Sequence, residues 1–267
     1  MSVENFQQVY LKEIGVRTPI SSFVAEPKAE LHVQTEPVQP QVYVEPQAQA
    51  PVVVAEPSVE LTPTVAEVVQ ETAVPAAHVA TVSVDGLEGL KAQAEACKAC
   101  ELVESRNQLV FGDGNSNADI MFIGEAPNRD DDLAGKAFVG ASGVLFQQML
   151  ASIGLNRDDV YLMNGVKCRP QHNRAPKPVE FAACESWLTA QLEQVQPKMI
   201  CLLGRVVAQT MLKTEASLSE LRAGRFTYRG IPVLVIDHPS YLLRAQQNKR
   251  RAWQDLLRLE SFLKTIH

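Results

Sequence analysis

Four short apolar runs mark the second part of the chain: DIMFI at 119–123, VYLM at 160–163, MICLL at 199–203 and VLVI at 233–236. Each gives way to glycine or polar residues, as buried strands do. Helical periodicity fills the intervals. Leu145, Met149, Leu150 and Ile153 share one face of 142–153, and 86–96, 179–194, 205–213 and 249–264 also read as helices. Strands alternating with helices imply a mostly parallel sheet covered on both faces. The expected fold is therefore a three-layer α/β/α arrangement around a mostly parallel, four-stranded central sheet. Such sheets bind ligands beyond the carboxyl ends of their strands, which directs attention to the loops after Ile123, Met163 and Ile236.

Residues 1–85 lack this pattern. They hold nine of the sixteen prolines, a single glycine (Gly15), and three basic against eleven acidic side chains, a net charge of −8. Recurring Pro, Glu, Gln, Val and Ala leave little to bury, so a disordered, acidic, low-complexity tail is expected here. Within it, Phe6, Val9, Tyr10 and Ile14 fall at helical spacing. A short helix over 4–16 would dock on the folded part or on a protein partner. Residues 86–267 carry 22 basic and 20 acidic side chains, a net of +2 within the overall −6. The acidic balance thus belongs to the tail and does not argue against a nucleic-acid partner. No run approaches the ~20 apolar residues of a membrane span, and the opening MSVENFQQVYLKEIGV has no secretory character. A cytoplasmic monomer is expected, in a reducing compartment where cysteines serve as metal ligands more often than as disulfides.

Cys97 and Cys100 form a CxxC pair, with Cys168 and Cys184 further along. Four thiolates of this kind suit tetrahedral zinc or a four-iron, four-sulfur cluster, and spacing alone leaves both open. Cys201 lies inside MICLL and reads as core.

The strand-end loops carry the remaining chemistry. GEAPNRDDDLAGKAFVG (124–140) begins with a glycine that permits a tight exit, and Phe138 offers a flat face to a planar base. NGVKCRPQHNRAP (164–176) starts with Asn164, whose amide suits a pyrimidine edge. Lys167, Arg169 and Arg174 bring positive charge beside it for phosphate. In DHPSYLLR (237–244), His238 can donate to a developing anion and Ser240 can hold a phosphate. Tyr241, Leu242 and Leu243 form an apolar wedge, followed by Arg244.

Together, GEAP (124–127), FVG (138–140), N-x-V-K-C-R-P (164–170), NR-x-P (173–176), Cys184 and HPSYLLR (238–244) resemble the family 4, iron–sulfur uracil-DNA glycosylases. The resemblance spans residues 97–260 and selects a 4Fe-4S cluster on Cys97, Cys100, Cys168 and Cys184 over zinc. It implies excision of uracil from single- or double-stranded DNA. His238, Glu125 and Asn164 would be catalytic, and Ala126, Phe138 and Asn128 would line the base site. The cations, together with Ser240, Tyr241 and Leu242, would contact DNA. Ala126 cannot activate water, so leaving-group stabilisation by His238 would carry the rate. Three positions depart from the family pattern: Asn128 replaces the usual glycine, Ser142 an alanine and Gln171 a proline. Asn128 raises the alternative of a catalytically weak glycosylase-fold protein that binds DNA or a partner.

Overall fold

The computed structural model describes residues 86–266. The expectations for the tail, its helix at 4–16 included, lie outside them. A six-stranded sheet has the order β1-β3-β2-β4-β6-β5. Its strands are β1 (Asp113–Gly114), β2 (Ile120–Gly124), β3 (Tyr161–Asn164), β4 (Met199–Leu203), β5 (Phe226–Tyr228) and β6 (Ile231–Ile236). The four central strands run parallel, as the apolar runs imply, and β1 and β5 close the edges antiparallel. The edges escape a pattern-based reading because two or three residues show no alternation.

Alternate strand residues feed two cores. Ile120, Phe122, Leu162, Cys201 and Leu203 join Leu145, Phe146 and Met149 of α3 (Gly140–Ala151) and Leu256 and Leu259 of α8 (Lys249–Ile266) on one face. Met121, Ile123, Met163, Ile200 and Leu202 meet Leu188 and Leu192 of α4 (Pro178–Val195), Val207 of α5 (Arg205–Leu212) and Leu221 of α6 (Leu218–Ala223) on the other. The first helix, α1 (Gly86–Glu95), packs on α4 through Leu90, Ala94 and Ala190. Among the described residues, no helix is long and apolar enough to cross a membrane.

Two short helices sit inside the loops read as irregular. In α2 (Arg129–Ala134), Asn128 is the N-cap: its Oδ1 accepts from the Asp130 and Asp131 N–H groups at 2.6 and 3.1 Å, and Asp131 answers by accepting from the Asn128 N–H. This is a capping box, in which two orphan donors are satisfied reciprocally. In α7 (Pro239–Arg244), Pro239 supplies the preset first turn and His238 the cap. Strand register aligns Gly124 with Asn164 and Leu203 with Ile236, so the loops of interest leave the sheet at one level.

Candidate active site

A cleft of about 680 Å³ opens at these strand ends, lined by Glu125, Ala126, Phe138, Asn164, His238 and Tyr241 among others. Its base is crowded. A Cβ on Gly124 would stand 2.4 Å from Asn164 Oδ1 and 2.8 Å from the Phe138 ring, so only glycine lets both approach this strand end. The Phe138 ring is tilted toward His238 with centroids 6.0 Å apart and packs on Phe146 at 5.3 Å.

Asn164 is 1% exposed, and its Nδ2 is buried without a hydrogen-bond partner. An unsatisfied buried donor costs about 1–3 kcal/mol. A ligand carbonyl entering the cleft would recover that. Glu125 is partly exposed beside it, with its carboxyl pKa pushed up by burial.

His238 is defined by its cap. Its Nδ1 accepts the Ser240 N–H at 3.1 Å and lies 2.8 Å from Ser240 Oγ. An accepting Nδ1 places the proton of a neutral ring on Nε2. The ring is neutral because burial, reinforced by the Arg244 charge, lowers its pKa to about 4. His238 therefore offers a fixed N–H donor to the cleft.

The four cysteines converge on a second, smaller cavity with Val103, Leu109 and Trp187. Arg106 donates to Cys168 Sγ at 3.3 Å, and the Lys167 backbone N–H donates to Cys184 Sγ at 3.3 Å. Burial pushes the Cys100 and Cys168 thiols up and that of Cys184 to about 12, so binding a metal centre there would release protons. Among the described residues, no group of three or more His, Cys, Asp or Glu is arranged to hold a single ion. Cys201 is core, as expected.

The comparisons bear on the whole arrangement. The uracil DNA glycosylase superfamily model matches residues 111–257. A type-4 uracil-DNA glycosylase of Archaeoglobus fulgidus is 37% identical over 187 residues, covering 66% of this chain and 92% of that protein. That of Thermotoga maritima is 37% identical over 182 residues, covering 67% and 95%. This chain belongs to the type-4 uracil-DNA glycosylases. A type-5 uracil-DNA glycosylase of Pyrobaculum aerophilum is 33% identical over 146 residues, covering 48% of this chain and 64% of that protein.

In this glycosylase the structure brings Glu125, Ala126, Asn128, Phe138, Asn164, Arg174, Ser240, Tyr241 and Arg244 to the cleft wall with His238. It corrects two of the expected DNA contacts. Lys167 is 1% exposed: its Nζ donates to the Asn164 carbonyl at 2.9 Å and sits 3.4 Å from Met163 Sδ, so it faces the interior and not phosphate. Leu242 is fully buried in the core, and the exposed apolar pair of that loop is Tyr241 and Leu243, each 39% exposed. Each step along α7 turns about 100° around its axis, which carries Leu242 to the core and its two neighbours away from it. Arg174 reaches the cleft, yet its guanidinium is paired with buried Glu180, and Arg169 is held by Asn173 Oδ1 at 2.7 Å. The sequence reading missed Arg205, exposed at the cleft as the first residue of α5. A charged residue following a strand-end glycine was its available signal. Asn128 reaches the cleft, but its Oδ1 is committed to capping α2.

Proposed function

We propose that this chain hydrolyses the N-glycosidic bond of uracil in DNA, leaving an abasic site for base excision repair. The observation that carries the reading is the buried, unpartnered amide of Asn164 at the base of a cleft that also holds Phe138 and His238. An extruded uracil presents an O4 acceptor to Asn164 Nδ2 and an N3–H donor to Oδ1. Cytosine presents an amino donor where Nδ2 needs an acceptor, so it leaves donor facing donor and is rejected. Extrusion is required because a stacked base hides its C1′–N1 bond.

The steps then follow from the residues. Phe138 stacks on the flipped ring and Asn164 reads its edge. The C1′–N1 bond breaks with its electron pair passing to uracil, and the Nε2–H of His238 donates to the O2 that gathers the charge. Protonating the ring would put a second N–H at Nδ1 against the Ser240 N–H and break the cap that aims it. Alanine at 126 can take no proton, so water, oriented by Glu125, adds to the sugar cation after bond cleavage, and the proton it loses passes to the departed uracil anion. Such leaving-group stabilisation is worth about 3–4 kcal/mol. Tyr241 and Leu243 fill the space the base vacates, with Arg205 and Arg244 on the flanking phosphates.

We also assign a 4Fe-4S cluster to Cys97, Cys100, Cys168 and Cys184. Their shared cavity, two N–H···S bonds and an apolar lining with Arg106 at its edge fit such a group. Four thiols in one cavity suit zinc and a cluster alike; the likeness to type-4 uracil-DNA glycosylases favours the cluster. Bound there, the cluster would supply iron–thiolate bonds that staple segments distant in sequence.

Alkali treatment of a uracil-containing oligonucleotide incubated with the protein tests the activity. Strand scission is expected, and its absence at stoichiometric protein would refute the reading. Under single turnover, His238→Ala should slow scission by roughly 10²–10³-fold, and an unchanged rate would sink its assigned role.

A further inference from the structure

Phe138 is one of six non-glycine residues in the described part with positive φ, and the only one that is buried (φ +54, 3% exposed). A left-handed aromatic residue persists only where its surroundings over-determine it. Three groups do so here. Arg157 donates through Nη1 to the Phe138 carbonyl at 3.2 Å and through Nη2 to the Ala137 carbonyl at 2.5 Å. Asp131 accepts from the Val139 N–H at 2.8 Å. Behind them, α3 backs onto the same carbonyl, where a Cβ on Gly143 would lie 2.0 Å from the Phe138 oxygen.

Arg157 is itself aimed. Its Nη2 lies 2.7 and 2.9 Å from the two carboxylate oxygens of Asp113, and both side chains are about a quarter exposed, at 21% and 25%. Asp113 opens the two-residue edge strand β1, too short to add a core of its own. It lies between Gly112 (φ +135) and Gly114 (φ +111), where a Cβ would approach the Leu162 and Val160 carbonyls to 2.9 and 2.1 Å. The Gly-Asp-Gly sequence lets β1 lie close along β3, and Arg157 bridges the Asp113 carboxylate to the Ala137 and Phe138 carbonyls.

We propose that Asp113 and Arg157 are positioning residues for base recognition: they brace the 137–139 backbone in the left-handed turn that presents the Phe138 ring to the flipped base. This rests on reading Phe138 as the stacking surface. The brace touches neither base nor DNA.

The test is a double-mutant cycle on uracil cleavage under single turnover, with affinity for the same oligonucleotide carrying an abasic site as the second readout. Arg157→Gln should lose about 10- to 100-fold in rate, the scale of a displaced reacting partner, with abasic-site affinity unchanged. Arg157→Lys, which keeps the charge and one donor, should recover part of that loss. In a Phe138→Leu background, Arg157→Gln should add no more than about twofold, the scatter between independent effects. The full loss recurring in that background, or abasic-site affinity falling in parallel with rate, would overturn the brace. Should Arg157→Gln fail to fold, Asp113→Asn, nearly isosteric, carries the same cycle. A wild-type protein that leaves uracil uncut would overturn the uracil reading itself, and the brace with it. An active wild type with an additive cycle overturns the brace alone.

Discussion

At the scale of single residues, His238 makes the sharpest claim because its proton inventory is fixed twice. The Ser240 N–H occupies Nδ1, and burial holds the pKa near about 4. The ring should thus stay a neutral Nε2–H donor across the physiological range. The single-turnover rate should show no inflection near the ordinary histidine value of ~6.5, and should fall only as pH approaches about 4. Glu125 titrates above its ordinary value because of burial, so the profile of Glu125→Gln separates its contribution. An inflection near 6.5 that vanishes in His238→Asn would show a ring protonated in the working enzyme. Stability follows with a definite sign. The folded pKa lies below the unfolded one, so between pH 6.5 and about 4 the unfolded chain binds the extra proton and stability is lost as pH falls. Urea melts of wild type and His238→Asn should diverge in that window and run parallel above pH 7.

At the scale of elements, the departure at position 128 changes meaning. At this departure from the family pattern, Asn128 closes a capping box on α2, whose Asp131 also holds Val139. Asn128→Gly should cost only a few tenths of a kcal/mol and Asn128→Ala about 1 kcal/mol, the usual span for caps. Both should keep uracil cleavage within a few-fold of wild type, and a large gain in rate for Asn128→Gly would restore the view that this side chain obstructs the pocket. The same helix shows what the sequence could and could not disclose. Six residues, Arg129–Ala134, are too few for periodicity to register, and so are the six of α7. The four parallel strands were legible because each is a buried apolar run, and Glu125, Asn164 and His238 because each comes within two residues of the end of such a run. Facing was not legible. Lys167 is a cation between buried Val166 and Cys168, and Leu242 stands between two exposed apolar residues, so residue type gives neither facing; packing turns one inward to Asn164 and the other into the core.

At the scale of the molecule, the cysteine cavity ties together parts that the chain keeps far apart: α1 through Ala94, the turn carrying Cys97 and Cys100, the loop after β3 through Cys168, and α4 through Cys184 and Trp187. A metal centre there would act as a crosslink, whose binding energy is folding energy. Its loss should therefore lower Tm, by roughly 4–16 °C if about 2–4 kcal/mol is forfeited at the 2–4 °C per kcal/mol of a domain this size. The four cysteines should differ in their weight for function. Cys168 follows Lys167, whose ammonium holds the Asn164 carbonyl, while Gly165 and Val166 bond the carbonyls of Gly124 and Glu125. Movement at Cys168 would thus be carried into the segment that positions Asn164, whereas Cys97 lies in the turn that ends α1, its N–H donating to the Ala94 carbonyl. Cys168→Ser and Cys97→Ser should both bleach the brown visible absorption of an iron–thiolate protein and lower Tm alike. Assayed well below either Tm, Cys168→Ser should lose uracil cleavage by at least about tenfold more, the effect of a small misplacement of catalytic groups. Equal losses would show that the cluster supports the fold as a whole, without a privileged line to the pocket, and a colourless wild type containing zinc would remove the cluster from the account.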